Sequence, residues 1–170
     1  MGEVTFLRAV ERSDLAQLLE WRNNSELRMY FREHRLLSTD QQTKWFEEVM
    51  MKDDRVRMFS ICNMDKELLG ACGLCYIDWV NRSADFSIYI GYNHMYIDDI
   101  LAIDASRLLI KYGFGELNLH RLWAEIYDFD AQKIAMFEQL EFKLEGRHRE
   151  THWMEEQWCD SLFYSLLDNT

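Results

Sequence analysis

Apolar and polar positions divide the chain into segments of two periods, and the period assigns each segment its element. Val4 to Arg8 is a short β-rich run. Behind it, Ser13 reads as an N-cap, with Asp14 in the first turn of a helix that carries Leu15, Leu18, Leu19 and Trp21. Ser38 or Thr39, backed by Gln41 and Gln42, opens a second helix from Gln41 to Met51, where Trp45, Phe46, Val49 and Met50 fall at helical spacing. From Arg55 the period changes to two. Val56, Met58, Ser60 and Cys62 alternate with Arg57, Phe59 and Ile61, and Leu68 to Asp78 and Ala84 to Ile90 continue the pattern as two more strands. Asp65-Lys66 and Asn81-Arg82 turn between them, which predicts an antiparallel meander.

Ile97 to Phe114 is the strongest helical pattern, with Ile97, Leu101, Ala105, Leu108 and Tyr112 on one stripe, Asp98 and Asp99 in the first turn, and Gly113 and Gly115 at the end. Leu122 to Tyr127 reads as a strand, Ala131 to Leu140 as a short helix, and Phe142 to Arg149 and Trp158 to Leu167 as closing strands. The predicted order is βααβββαβαββ.

Length and charge narrow the function classes. The 170 residues suit a single domain spanning 1–170, with enough apolar sequence for a core. Thirty acidic against 19 basic residues give a formal charge of −11, a field that repels phosphate backbones, so no nucleic-acid partner is expected. No run of about 18 apolar residues is present and the first residues lack an apolar signal core, so neither a membrane span nor export is expected and the address reads as cytoplasmic. The four cysteines are too scattered for a disulfide framework. Cys72 and Cys75 form a CxxC, but inside a strand and on opposite faces, which favours packing over redox chemistry. His148 and His152 would lie about 13 Å apart on a strand, so no metal site is expected. Trp45, Phe46, Phe59, Phe86 and Phe114 sit at core-facing spacing.

Four stretches carry a resemblance to a known family. They are LEWRNNSELR (Leu19 to Arg28), Gly73 to Gly91 with Ile77-Asp78-Trp79 and Asn81-Arg82-Ser83-Ala84-Asp85, NLHRLWAE within Leu117 to Glu125, and FDAQKIAMFEQLEFKLEG (Phe129 to Gly146). In order and spacing, from about Val4 to Leu167, they resemble the GNAT superfamily of acyl-CoA-dependent N-acyltransferases, in particular its ribosomal-protein N-terminal and amino-sugar nucleotide branch. The resemblance implies an α+β, sandwich-like fold in which a mixed, mostly antiparallel sheet splays open and is flanked by helices. It also implies acetyl-CoA as co-substrate, its pantetheine arm held by main-chain groups around Ile88, Tyr89 and Ile90. Acyl transfer to an amine needs the thioester and the deprotonated amine held in near-attack geometry with a group that takes the proton. Asp85 and Glu125, on the predicted fourth and fifth strands, are the candidate bases. Arg22, Asn23 and Arg32 are candidates for the acceptor side, where Arg28, Arg32, His34 and Arg35 form a local basic cluster balanced by Glu26 and Glu33.

The family's pyrophosphate loop, a Gln or Arg, two residues, Gly, one residue and Gly or Ala, uses free amides at a helix start to bind the anion. Here the aligned segment runs from Ile97 to Ala102: Ile97 replaces the basic residue, Ile100 replaces the glycine, only Ala102 fits, and Asp98 and Asp99 bring negative charge. At about 4 Å, each such like-charge pair costs on the order of a few kcal/mol near a surface. Asp130 replaces the asparagine that caps the following helix, Phe137 replaces the tyrosine that often protonates the leaving thiolate, and Glu141 replaces a glycine. Two functions follow. One is an N-acetyltransferase that moves an acetyl group by direct attack onto a small-molecule or protein amine, an amino-sugar nucleotide or a protein N-terminus. The other is a GNAT-fold binding or structural protein that no longer uses acetyl-CoA. A homodimer through the final hairpin, with its Trp153 and Trp158, is compatible with both.

Overall fold

The computed structural model describes residues 2–168. The strands are β1 Thr5–Ala9, β2 Arg57–Asn63, β3 Leu68–Asp78, β4 Ser83–Ile90, β5 Arg121–Tyr127, β6 Lys143–Met154 and β7 Gln157–Leu167. They form one seven-stranded sheet in the order β1-β2-β3-β4-β5-β7-β6. Among the described residues β4 and β5 are the one parallel pair, and every other neighbouring pair is antiparallel. The helices are α1 Leu15–Asn23, α2 Ser25–Arg28, α3 Thr39–Trp45, α4 Leu101–Lys111 and α5 Ala131–Gln139. The mixed α+β architecture and the splayed, mostly antiparallel sheet expected above are both present.

Strand alternation sends successive side chains of β4 to opposite helical layers. Phe86 packs edge-on against Phe137 of α5, at 5.5 Å between ring centroids. Tyr89 packs against Phe31, just after α2, at 5.1 Å, and Asp85 meets Arg32 on that same side. The sheet is therefore covered by α4 and α5 on one face and by α1 to α3 on the other. Burial of its strand residues, with Ile61, Cys72, Leu74, Ala84, Ile90 and Leu122 all fully inside, makes the core that fixes this sandwich.

Several local expectations change. Asp14 is not a first-turn residue behind a Ser13 cap: its carboxylate turns inward to Arg8 and Ser60 and also accepts from the Glu11 amide, so the chain begins turning at Glu11. Ser38 does cap its helix, and Gln41 returns a bond to the Ser38 amide. Past Trp45 that helix widens into a π-type turn over Phe46–Met50. α2 is an unpredicted extra turn, started by the Asn24 side chain accepting from the Glu26 amide at 2.8 Å. α4 begins at Leu101, four residues later than expected; of the predicted stripe Ala105 is fully buried while Leu101, Leu108 and Tyr112 are half-buried, and Ala102, Ser106 and Leu109 join Ala105 inside. Trp45, expected in the core, is 38% exposed. Cys72 is fully buried, and burial pushes the half-buried Cys75 thiol up to about 11, so both cysteines pack as expected. His148 and His152 lean on Phe163 and Tyr127, and no cluster of three metal-ligating side chains exists among the described residues. No helix is long and apolar enough to cross a membrane. Trp153 and Trp158 are exposed on the last hairpin, paired edge to face at 5.1 Å.

Candidate active site

The parallel ladder between β4 and β5 is short. It joins Ser83, Ala84 and Asp85 to Arg121, Leu122 and Trp123, and ends there. Beyond it the strands diverge and a cavity of about 340 Å³ opens between them, lined from β4 by Phe86, Ser87 and Ile88 and from β5 by Glu125, Ile126 and Tyr127. The Gly91 amide donates to Leu69 of β3, so by strand alternation Tyr89 and Ser87 also turn their main chain to β3, while Phe86, Ile88 and Ile90 turn theirs to the gap. Of the three residues expected to present main-chain groups there, Ile88 turns its main chain to the gap, the Ile90 amide is taken by the Tyr96 carbonyl at 2.8 Å, and Tyr89 turns to β3. A second cavity, about 670 Å³, adjoins the first between α1, α3 and the sheet and shares Arg22, Trp45 and Tyr89 with it.

At the head of the gap the structure assembles an ionic triad from three distant parts of the chain. Arg32, just after α2, donates from both terminal nitrogens to Asp85, at 2.9 and 3.1 Å, and its Nε lies 3.7 Å from Glu125. Asp85 is 3% exposed. Burial pushes its carboxyl above the usual carboxylate range despite the guanidinium. Burial works against the charge of Arg32, but the two carboxylates outweigh it and raise its pKa further. Glu125 remains partly exposed, and its other oxygen accepts from the Ser161 hydroxyl at 2.6 Å. Both oxygens of Asp85 are thus held by Arg32, whereas Glu125 keeps the looser contact and faces the cavity.

The remaining sequence candidates scatter. Arg22 lines both cavities with its guanidinium over the Phe31 ring, 4.6 Å from its centroid. Asn23 does not face an acceptor: its side-chain amide is locked to both main-chain groups of Leu37, at 2.8 Å each, and braces the loop before α3. Phe137 is fully buried between Phe86 and Phe142. Asp130 caps α5 through the Lys133 amide and accepts from the Tyr96 hydroxyl at 2.8 Å. Burial pushes its carboxyl upward.

The pyrophosphate segment departs most from expectation. Ile97 is 7% exposed and sits in the core, while Ile100 is 65% exposed. The Asp98 carboxylate folds onto the start of α4 and accepts from the amides of Ile100, Leu101 and Ala102 at 3.1, 2.8 and 2.8 Å. Asp98 is therefore a cap and not a bystander charge, and Ala102 spends its amide inside the chain. The gap between β4 and β5 is open, whereas the amides at the start of α4 are filled by the chain itself.

Three residues near the gap carried no signal in the sequence. Tyr96 lies in what read as a loop. Lys133 points from α5 toward the same space, where burial lowers its ammonium pKa against the pull of Asp130 and Asp85. Ser161 holds Glu125 from β7. Their roles come from partners far away in sequence, which periodicity does not register.

The Acetyltransferase (GNAT) domain family matches residues 5–143. The spermidine N(1)-acetyltransferase of Vibrio cholerae serotype O1 is 27% identical over 160 residues, covering 94% of this chain and 91% of that protein. The uncharacterized N-acetyltransferase p20 of Bacillus licheniformis is 26% identical over 164 residues, covering 95% of this chain and 91% of that protein. Among solved structures, the spermidine N-acetyltransferase from Vibrio cholerae in complex with CoA and spermine superimposes with a TM-score of 0.89 at 26% identity, over 96% of this chain and 95% of that one. The relatives with a named acceptor are spermidine enzymes, which corrects the expected likeness to ribosomal-protein and amino-sugar nucleotide enzymes.

Proposed function

The chain belongs to the GNAT acetyltransferase family, and on that premise we propose that it transfers an acetyl group from acetyl-CoA to a primary amine of the polyamine class. The observation that carries the reading is the gap between β4 and β5, open beside two carboxylates at the head of the splay. The thioester supplies the activated acetyl carbon. Ile88 presents main-chain groups along the gap, and the walls from Phe86 and Ile126 exclude water from the reacting atoms.

Glu125 is the carboxylate placed to take the amine proton, because Arg32 grips it by one distant contact only. Asp85 positions Arg32, and Ser161 orients Glu125. Phe137, sealed in the core, offers no proton to the leaving thiolate, so that proton comes from the amine or from water. The formal charge of −11 favours a polycationic acceptor over an anionic one by raising its concentration near the surface. Those relatives that carry a named acceptor are spermidine N(1)-acetyltransferases, which agrees with that charge argument.

The test is thiol release from acetyl-CoA by purified protein across a panel of amines with spermidine and spermine, N-terminal peptides and amino sugars. Turnover confined to polyamines supports the reading, turnover with another amine replaces the acceptor, and no turnover with any amine defeats it. Self-association through Trp153 and Trp158 belongs to the same proposal, and a monomer mass by light scattering counts against it.

A second reading, a protein of this fold that binds partners without using acetyl-CoA, is favoured by one observation alone, the Asp98 carboxylate on the α4 amides.

A further inference from the structure

The segment from Gly91 to Ile100 leaves the end of β4 and turns back onto the gap side of that strand. Asn93 and His94 are consecutive non-glycine residues with positive φ, 52° and 58°, a strained reversal that brings Tyr96 back beside β4. The Tyr96 carbonyl accepts the gap-facing amide of Ile90 at 2.8 Å. Its hydroxyl reaches across to Asp130 at the start of α5, also at 2.8 Å. Its ring, 5% exposed, stacks on Tyr30 at 4.0 Å with 10° between planes. Tyr96 is thus a crossbar between β4 and α5 that separates the gap from the start of α4. On the far side of the crossbar, the amides of Ile100, just before α4, and of Leu101 and Ala102 in its first turn are taken by Asp98.

We propose that Asp98 and Tyr96 stand in for the nucleotide end of the donor, so that this site recognises its acyl donor through the pantetheine arm and gains nothing from the pyrophosphate. A carboxylate already seated on the amides supplies the negative charge that the helix start favours. An incoming pyrophosphate meets that charge as a competitor and, next to it, the exposed Asp99. Ile97, which stands in the place of the family's basic residue, is buried and carries no charge. Asp98 is accordingly a specificity-determining residue for the donor: the enzyme discriminates little between acetyl-CoA and a donor cut off after pantetheine. The inference rests on the acetyltransferase reading, because it assumes that the gap takes a thioester arm.

The experiment is titration of the full chain with acetyl-CoA and with acetyl-pantetheine, for the wild type, Asp98→Ala and Asp98→Asn. The wild type is expected to bind the two donors within about threefold of each other. Asp98→Ala is expected to tighten acetyl-CoA binding by about tenfold or more, the range of one relieved charge contact, and to leave acetyl-pantetheine unchanged. Asp98→Asn keeps a capping oxygen while dropping the charge, so it decides the question if the alanine variant does not fold, and a smaller tightening for acetyl-CoA alone is expected. Wild-type preference for acetyl-CoA by about a hundredfold overturns the inference and leaves the acetyltransferase reading standing. Equal changes for both donors in the variants also overturn it. Binding of neither donor by any of the three proteins overturns the acetyltransferase reading, and the inference with it.

Discussion

Arg32 grips Asp85 with two parallel hydrogen bonds, 2.9 and 3.1 Å, across 53 positions of sequence. Bidentate guanidinium–carboxylate pairs are directional as well as strong. The pair therefore sets where the Glu125 carboxylate, 3.7 Å from the same guanidinium, can sit. One residue of the loop after α2 thus ties that loop to both strands that diverge around the gap.

The triad divides the work between its carboxylates, and kinetics separate them. Glu125→Gln is expected to lower kcat by about 10² to 10⁴. Asp85→Asn is expected to cost less in kcat, because in the proposed mechanism Asp85 acts through Arg32. The measurement is kcat and kcat/KM for both variants; a larger loss of kcat in Asp85→Asn than in Glu125→Gln exchanges their roles.

Removing the guanidinium leaves a buried carboxylate without its partner. Arg32→Met is expected to destabilise the fold by about 3 kcal/mol. Adding Asp85→Asn to it removes the unpaired charge and recovers most of that loss. Denaturant melts of the two single variants and the double variant check this, and additive losses would mean that the pair contributes little.

Asp14 supplies a pH dependence whose sign follows from its contacts. It accepts from Arg8 at 2.6 and 2.8 Å, from Ser60 at 2.8 Å and from the Glu11 amide at 2.9 Å. Burial works to raise its pKa, but those donors outweigh it and hold the carboxyl below its usual value. A depressed folded pKa means that this stabilisation is fully present above the ordinary carboxylate value of about 3.9 and is lost as pH falls through the lower folded value. Asp14→Asn is expected to cost about 2 kcal/mol at pH 7. The gap from wild type should close as pH drops from about 5 toward 2; thermal melts over that range show it, and a constant gap would refute the electrostatic account.

Gly91 marks where α1 presses on the end of β4. A Cβ there would meet the Trp21 ring at 2.0 Å. The ring is itself wedged into the core, so Gly91→Ala is expected to cost about 1 to 3 kcal/mol through overpacking. The same change should blue- or red-shift Trp21 fluorescence relative to wild type, and an unchanged melting temperature would show that α1 yields at no cost.

Local order was legible wherever it follows from side-chain periodicity or from a cap within a few residues. Leu68–Asp78 was predicted with the bounds it has, and Ser38 caps with Gln41 as its pattern implied. The splayed sheet followed from the family resemblance and is present in the register of β4 and β5. Asp85 and Glu125 are the candidate carboxylates of the sequence, and both contact the same guanidinium, that of Arg32. Arg32 is legible as a candidate, but for an acceptor and not for its bond to Asp85 53 positions away; Ser161, 36 positions from Glu125, leaves no local trace.

The sequence by itself determined that strands alternate around an apolar interior and that helices cover them, and its family resemblance implied that the segment from Ile97 to Ala102 lacks the glycine and the cation of the family's loop. It could count the charge of Asp98 but not aim it: in a helix continuing from Ile97 that carboxylate would point to solvent and repel a phosphate. Tertiary packing decided otherwise. Ile97 is drawn into the core, which ends the helix pattern at that point and leaves Asp98 as the nearest anion to three unpaired amides. Capping is local in sequence, but which residue is free to cap depends on which neighbour the core claims, and that competition is settled only when the whole sheet has formed.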